Sequence, residues 1–172
     1  MAFDLIQTKT LASPSALVEF DTLPTTYKDL RVVVSGRGTT SLNRVVVLVR
    51  LNNDSTNSNY IQYDWYFEDA SSGGEWSNGG SRARIIGIVP AVNATSSNSF
   101  GAFELWINNY NNTTNNKAIN SLMCSYQSTA PNWDSWNNGI TWKNTNAITK
   151  IAFETEAGSF ATNSTFYLYG LK

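Results

Sequence analysis

The 172-residue chain contains no histidine and a single cysteine, Cys124. Without imidazole there is no Ser-His-Asp triad, no Cys-His pair and no imidazole-ligated metal centre. One thiol cannot close an internal disulfide or build a thiolate cluster, and in the run Leu122-Met123-Cys124 it reads as a small buried residue. Charge is scarce as well: 15% of the residues are Asp, Glu, Lys or Arg, against about 25% in ordinary soluble domains. A net charge of -1 gives no global positive field to attract nucleic acid. No run approaches the length of a membrane span, and Met1 to Gln7 lacks a basic stretch followed by an apolar one. Neither membrane insertion nor a signal peptide is expected, and the chain reads as one made in a cytoplasm.

What replaces charge is amide and hydroxyl. Asn, Ser and Thr crowd residues 52–59, 95–99 and 108–116. Such side chains hydrogen-bond their own backbone, and Asn tolerates the left-handed region, so these clusters predict turns and loops. They also give Asn-X-Ser/Thr sequons at Asn53, Asn93, Asn111, Asn112 and Asn163, which follow from composition alone.

Between the clusters, apolar residues alternate in ten segments: 3–11, 15–20, 30–36, 43–51, 59–67, 83–89, 100–108, 118–126, 147–154 and 164–171. Val45, Val47, Val49 and Leu51 share one face of a strand, and Arg44 and Arg50 share the other. Phe103, Leu105 and Ile107 alternate with Glu104 and Trp106 in the same way. No segment carries helical spacing with a capping signal, and no fixed-period repeat is present. The pattern predicts an all-β fold, an antiparallel β-sandwich of jelly-roll-like type, forming one domain over 1–172. The last strand runs almost to Lys172, so the chain is expected to be a complete domain with no tail. Two long loops are expected, Ala70 to Ser81 and Gln127 to Thr141.

Those loops carry the most suggestive side chains. Trp76 lies in the first, and Trp133, Asp134 and Trp136 in the second. An exposed indole can pack on the CH face of a sugar while neighbouring polar groups read its hydroxyls. The same rings can instead cap the open ends of a sandwich or pack into a neighbouring subunit. Arg44, Arg50, Arg82 and Arg84 are candidates for an anionic partner, since residues two apart on a strand point the same way. Asp54, Asp64, Asp69 and Asp134 lie in or beside Asn-rich loops but lack the dense spacing of a calcium loop. Glu68, Asp69, Glu75, Glu104, Glu154 and Glu156 are the carboxylates available for glycoside hydrolysis, and nothing in the sequence pairs any two. No enzymatic activity, metal or cofactor is expected.

The two ends carry a resemblance. The opening reads Leu5-Ile6-Gln7-Thr8-Lys9-Thr10-Leu11, then Val18-Glu19-Phe20, then Leu23-Pro24-Thr25-Thr26-Tyr27-Lys28-Asp29-Leu30 leading into Arg31-Val32-Val33-Val34-Ser35-Gly36-Arg37. The close reads Ala147-Ile148-Thr149-Lys150-Ile151, then Gly158-Ser159-Phe160, then Ser164-Thr165-Phe166-Tyr167-Leu168-Tyr169-Gly170-Leu171. Together they resemble a group of small virion structural proteins of tailed bacteriophages, of the marine and cyanobacterial phage type. About a third of the chain carries the likeness, and the middle, with both long loops, does not. Pro24 makes a corner before the strand from Leu30, and Asn163 takes a position where the group more usually has Gly, which predicts a left-handed turn.

The resemblance implies a sandwich framework and a place in the virion, and it transfers no binding or catalytic residue. It leads to a capsid decoration or cement protein on the head surface. The partners it implies are other copies of itself, with a trimer favoured on analogy, and the major capsid protein or other virion proteins. The alternatives are a tail-fibre or appendage module that contacts host surface glycans through the Trp-bearing segments, and a non-viral carbohydrate-binding domain.

Overall fold

Alternation of Val, Leu, Ile and Phe with polar residues builds strands throughout, and they sort into two packed antiparallel sheets. The computed structural model describes residues 3–56, 58–68, 71–80, 83–91, 99–128 and 132–172. In chain order the strands are β1 (Phe3–Thr10), β2 (Leu17–Asp21), β3 (Asp29–Gly36), β4 (Arg44–Leu51), β5 (Tyr60–Glu68) and β6 (Ser71–Gly80). They continue as β7 (Ala83–Pro90), β8 (Gly101–Ile107), β9 (Lys117–Ser128), β10 (Asn132–Trp142), β11 (Lys150–Thr155) and β12 (Thr165–Leu171). The larger sheet has eight strands in the order β1-β12-β3-β8-β9-β10-β5-β6, and the smaller has four, β2-β11-β4-β7.

The sandwich matches the fold read from the sequence, and each of the ten alternating segments contains a strand. Two expected loops are corrected. Ser71–Gly80 is β6, paired with β5, and Asn132–Trp142 is β10, paired with both β9 and β5. Their Gly, Ser and Asn content imitates a loop, yet the glycines serve the sheet. A Cβ at Gly73 would lie 2.8 Å from Tyr66 Oη, and one at Gly74 would lie 2.6 Å from Tyr63 Oη. Rings from β5 therefore lie over the β6 backbone on both faces, which a larger residue there would prevent.

The core fills the space between the sheets. Val45, Val47, Val49 and Leu51 of β4 are buried, as are Val32 and Val34 of β3, Phe103 and Leu105 of β8, and Phe166 and Leu168 of β12. Phe153 sits at its centre, 5.6 Å from Phe166 and 6.2 Å from Phe103 between ring centroids. The Pro24 corner is tied down where the Tyr110 hydroxyl donates to Pro24 O, and Asn111 Nδ2 donates to Thr25 O and Tyr27 O. Asn163 has φ of 69°, the left-handed turn expected before the last strand. That strand, β12, pairs with β1 on one side and β3 on the other, closing a sheet begun near the N-terminus.

Candidate functional site

The outward face of the smaller sheet is charged. Lys150 pairs with Glu19 at 2.7 Å and Arg50 with Glu154 at 2.9 Å, above buried Leu48 and Ala152. The outward face of the larger sheet is different. Over β5, β6, β9 and β10 its exposed large residues are Tyr63, Trp65, Phe67, Trp76, Leu122, Tyr126 and Trp133.

Strand register explains how they meet. Across the face one row runs Ser72, Phe67, Ser135, Cys124, Ala102; the next runs Gly74, Trp65, Asn137, Leu122, Glu104; a third runs Trp76, Tyr63, Gly139, Asn120, Trp106. Rings from β5 thus form a ridge, and the small side chains of β10 beside it form a furrow. A Cβ built at Gly139 meets nothing within 4 Å, so the furrow is open there. Beyond it a shallow hollow of about 290 Å³ is lined by Val33, Ala102, Leu122, Cys124 and Ser135. Glu104 also lines the hollow, and there charge returns: Arg31 pairs with Glu104, and its guanidinium lies over the rings of Trp106 and Phe3, at 4.9 and 5.3 Å from the centroids. Burial works to raise the Glu104 carboxyl, but hydrogen bonds from Arg31 and Trp106 hold it below the ordinary range.

The four residues singled out around the tryptophans divide between two faces. Trp76, 67% exposed, and Trp133 stand on the outward face. Trp136 and Asp134 alternate with Trp133 along β10 and point inward. Trp136 stacks on Tyr66 with centroids 4.7 Å apart, and Asp134 accepts from Arg44 Nη1 at 2.6 Å. The surface in which Asp134 reads a ligand beside Trp133 is therefore corrected. Cys124 is corrected too: it is exposed in the second of the two sheet faces, not buried.

Of the arginines considered for an anionic partner, the two whose side chains are described are both engaged by carboxylates. Arg44 Nη1 is shared by Asp134 and Glu68, which lie opposite each other on β10 and β5. Burial opposes the Arg44 charge, but these two carboxylates outweigh it and hold its pKa above the ordinary value. Arg50 is engaged by Glu154. Arg82 lies outside the described residues; Arg84 belongs to β7.

Among the acidic residues considered for calcium, Asp54 is held by protein donors: Asn59 Nδ2 at 2.7 Å, the Thr56 N–H at 2.9 Å and Trp142 Nε1 at 2.7 Å. Asp64 accepts from Gln62 Nε2 at 2.5 Å. Asp69 lies outside the described residues. Among the described residues no three His, Cys, Asp or Glu side chains gather where they could hold a metal ion.

Sequence reading missed Tyr63, Trp65 and Phe67. The signal was present, since segment 59–67 alternates, but polarity pointed to the wrong buried face. Gln62 and Asp64 are buried, while Tyr63, Trp65 and Phe67, which alternate with them, are exposed.

No known protein family matches the chain, and no curated protein does. Among solved structures, a mutant of alginate lyase Aly36B in complex with an alginate trisaccharide is similar over 96% of this chain and 80% of that one, at 6% identity and a TM-score of 0.35. A structure of infectious bursal disease virus, Gt strain, is similar over 96% of this chain and 41% of that one, at 12% identity and a TM-score of 0.14. Likenesses of this size bear on neither activity nor partners.

Proposed function

We propose that the chain is a structural protein of a bacteriophage virion, decorating or cementing the head surface as a homo-oligomer, and that it acts without catalysis. The observation that carries this reading is the uncharged apolar face over β5, β6, β9 and β10. At about 150–250 Å² per aromatic side chain, its seven large residues expose roughly 700 Å². A monomer rarely leaves so large an apolar patch to water, and about 800 Å² per partner suffices for a standard protein interface. The opposite side of the sandwich carries ion pairs suited to solvent, so one side is built to be covered and the other to be wet. The framework residues at both ends supply the virion setting through their resemblance. The non-catalytic reading draws on Arg44, which engages both Glu68 and Asp134 where β5 and β10 bring these two carboxylates opposite each other.

Reconstruction of an intact particle from the source phage tests this. Density at capsomer centres or three-fold positions, in hundreds of copies, is the expected result, and density confined to the tail sinks the head assignment. Replacing Trp65 and Trp76 together by Ala is expected to lower the copies retained per particle at least about tenfold, the effect of losing about 1.4 kcal/mol or more of binding.

A second reading, an appendage module that contacts host glycans, draws on the amides of Asn137 and Asn120 among the rings. It is weaker because Trp65 and Phe67 meet at 71°, edge to face, and so do not form a continuous flat strip for a sugar chain. Retention on a host polysaccharide column that is lost in the same double variant would favour it.

A further inference from the structure

Resting on the reading of the apolar face as a protein contact, we infer that its occupant is a second copy of this chain, packed face to face about a two-fold axis running along the seam between β5 and β10. A two-fold interface must be self-complementary. This face carries a ridge and its matching furrow side by side. The β5 positions Tyr63, Trp65 and Phe67 neighbour the β10 positions Gly139, Asn137 and Ser135 in the same three rows. Rotation about an axis parallel to the strands and between these two lays β5 of each copy over β10 of the other at the same height. The backbone position of Tyr63 then stands opposite Gly139, that of Trp65 opposite Asn137 and that of Phe67 opposite Ser135. The next pair outward follows suit, with Trp76 of β6 over Asn120 of β9 and Ser72 over Cys124.

Three further observations agree. Tyr63 and Trp65 lean over Gly74, away from β10, which leaves the furrow clear for the other copy. Every outward position described on β5, β6, β9 and β10 is uncharged, from Tyr63 and Trp65 to Asn120 and Asn137. A charged residue here would be buried by the other copy without a partner, and the face has none to bury. The exposed apolar area, roughly 700 Å² per copy, approaches the about 800 Å² per partner of standard interfaces. The product is a four-layer assembly in which two eight-stranded sheets pack at about 10 Å, as sheets do inside a sandwich. A trimer, by contrast, needs a patch complementary to a different surface of the chain.

Sedimentation equilibrium of the full chain tests the inference. The expected mass is twice the 19.0 kDa of one chain at micromolar concentration. Gly139→Phe fills the furrow at a position where a Cβ meets no neighbour of its own chain, and Leu122→Glu buries an unpaired carboxylate in the contact. Each is expected to leave the far-ultraviolet circular dichroism unchanged and to raise the dimer dissociation constant at least about 100-fold. Register is read with a short bifunctional thiol reagent. A chain carrying Ser72→Cys and Cys124→Ser should cross-link to wild type faster than wild type cross-links to itself. A wild-type chain that stays monomeric at about 100 μM, or a dimer that survives Gly139→Phe, overturns the inference. The two levels separate cleanly. A monomer whose Cys124 is shielded from alkylation only on virions removes the second copy and keeps the virion reading, whereas a dimer absent from virions does the reverse.

Discussion

Single side chains show where this protein concentrates its stability. Burial alone would raise the Asp54 carboxyl, but Asn59, the Thr56 N–H and Trp142 donate to it and bring its pKa down to about 2. Because the folded value lies below the unfolded one, near 3.8, this stabilisation is present above pH 4 and is lost as pH falls through 2. For a partly solvated group its size is about 1 kcal/mol. Urea unfolding between pH 5 and 2 should show that loss, and Asp54→Asn should flatten it. An unchanged slope would mean the three donors do not act on this carboxylate. Gly170 offers a second site. A Cβ there would run into the ring of Tyr27, so Gly170→Ala is expected to cost about 1–3 kcal/mol in equilibrium unfolding. Combining it with Tyr27→Ala should recover part of the loss, since the clash then disappears.

At the level of elements, legibility followed the physics of each strand. Segments buried on one face by Val, Leu and Phe, such as 43–51 and 100–108, announced themselves by alternation. β6 and β10 did not. The β6 sequence Ser71-Ser72-Gly73-Gly74 has little to bury, and its glycines are explained only by rings from another strand. In β10 the inward set mixes Asp134 and Asn138 with Trp136, Ile140 and Trp142, and its first three members are held by Arg44, Tyr66 and Ser121 from elsewhere in the chain. Long-range partners of that kind leave no local signature. The apolar face was half visible for the same reason: Trp76 and Trp133 stood out, while the β5 rings were hidden by an inverted pattern. Native-state hydrogen exchange tests the corrected strands. Backbone amides of β10, flanked by β9 and β5, should be among the slowest in the large sheet, and those of the edge strand β6 among the fastest. Rapid exchange throughout β10 would restore the loop.

For the whole molecule, β12 is the strand on which both the sheet and the core depend. It joins β1 to β3 and contributes Phe166 and Leu168 to the interior. Each such side chain is worth about 1.5–3 kcal/mol of burial, and total stability is on the order of 10 kcal/mol. A chain stopped before Ser164 also loses the pairing of both neighbours. It is expected to show no cooperative thermal transition, and a sharp one in calorimetry would contradict this dependence. The same pairing sets a timetable during synthesis. Phe3 is opposed to Leu171 across the β1–β12 ladder, so the first strand made waits for the last. At roughly 5–20 residues per second, β1 spends on the order of ten to thirty seconds as an unpaired edge on the ribosome. In that interval the strand that fits it is the β12 of another new chain that has not yet closed its own sheet, which makes newly made copies prone to exchange terminal strands wherever translation is crowded.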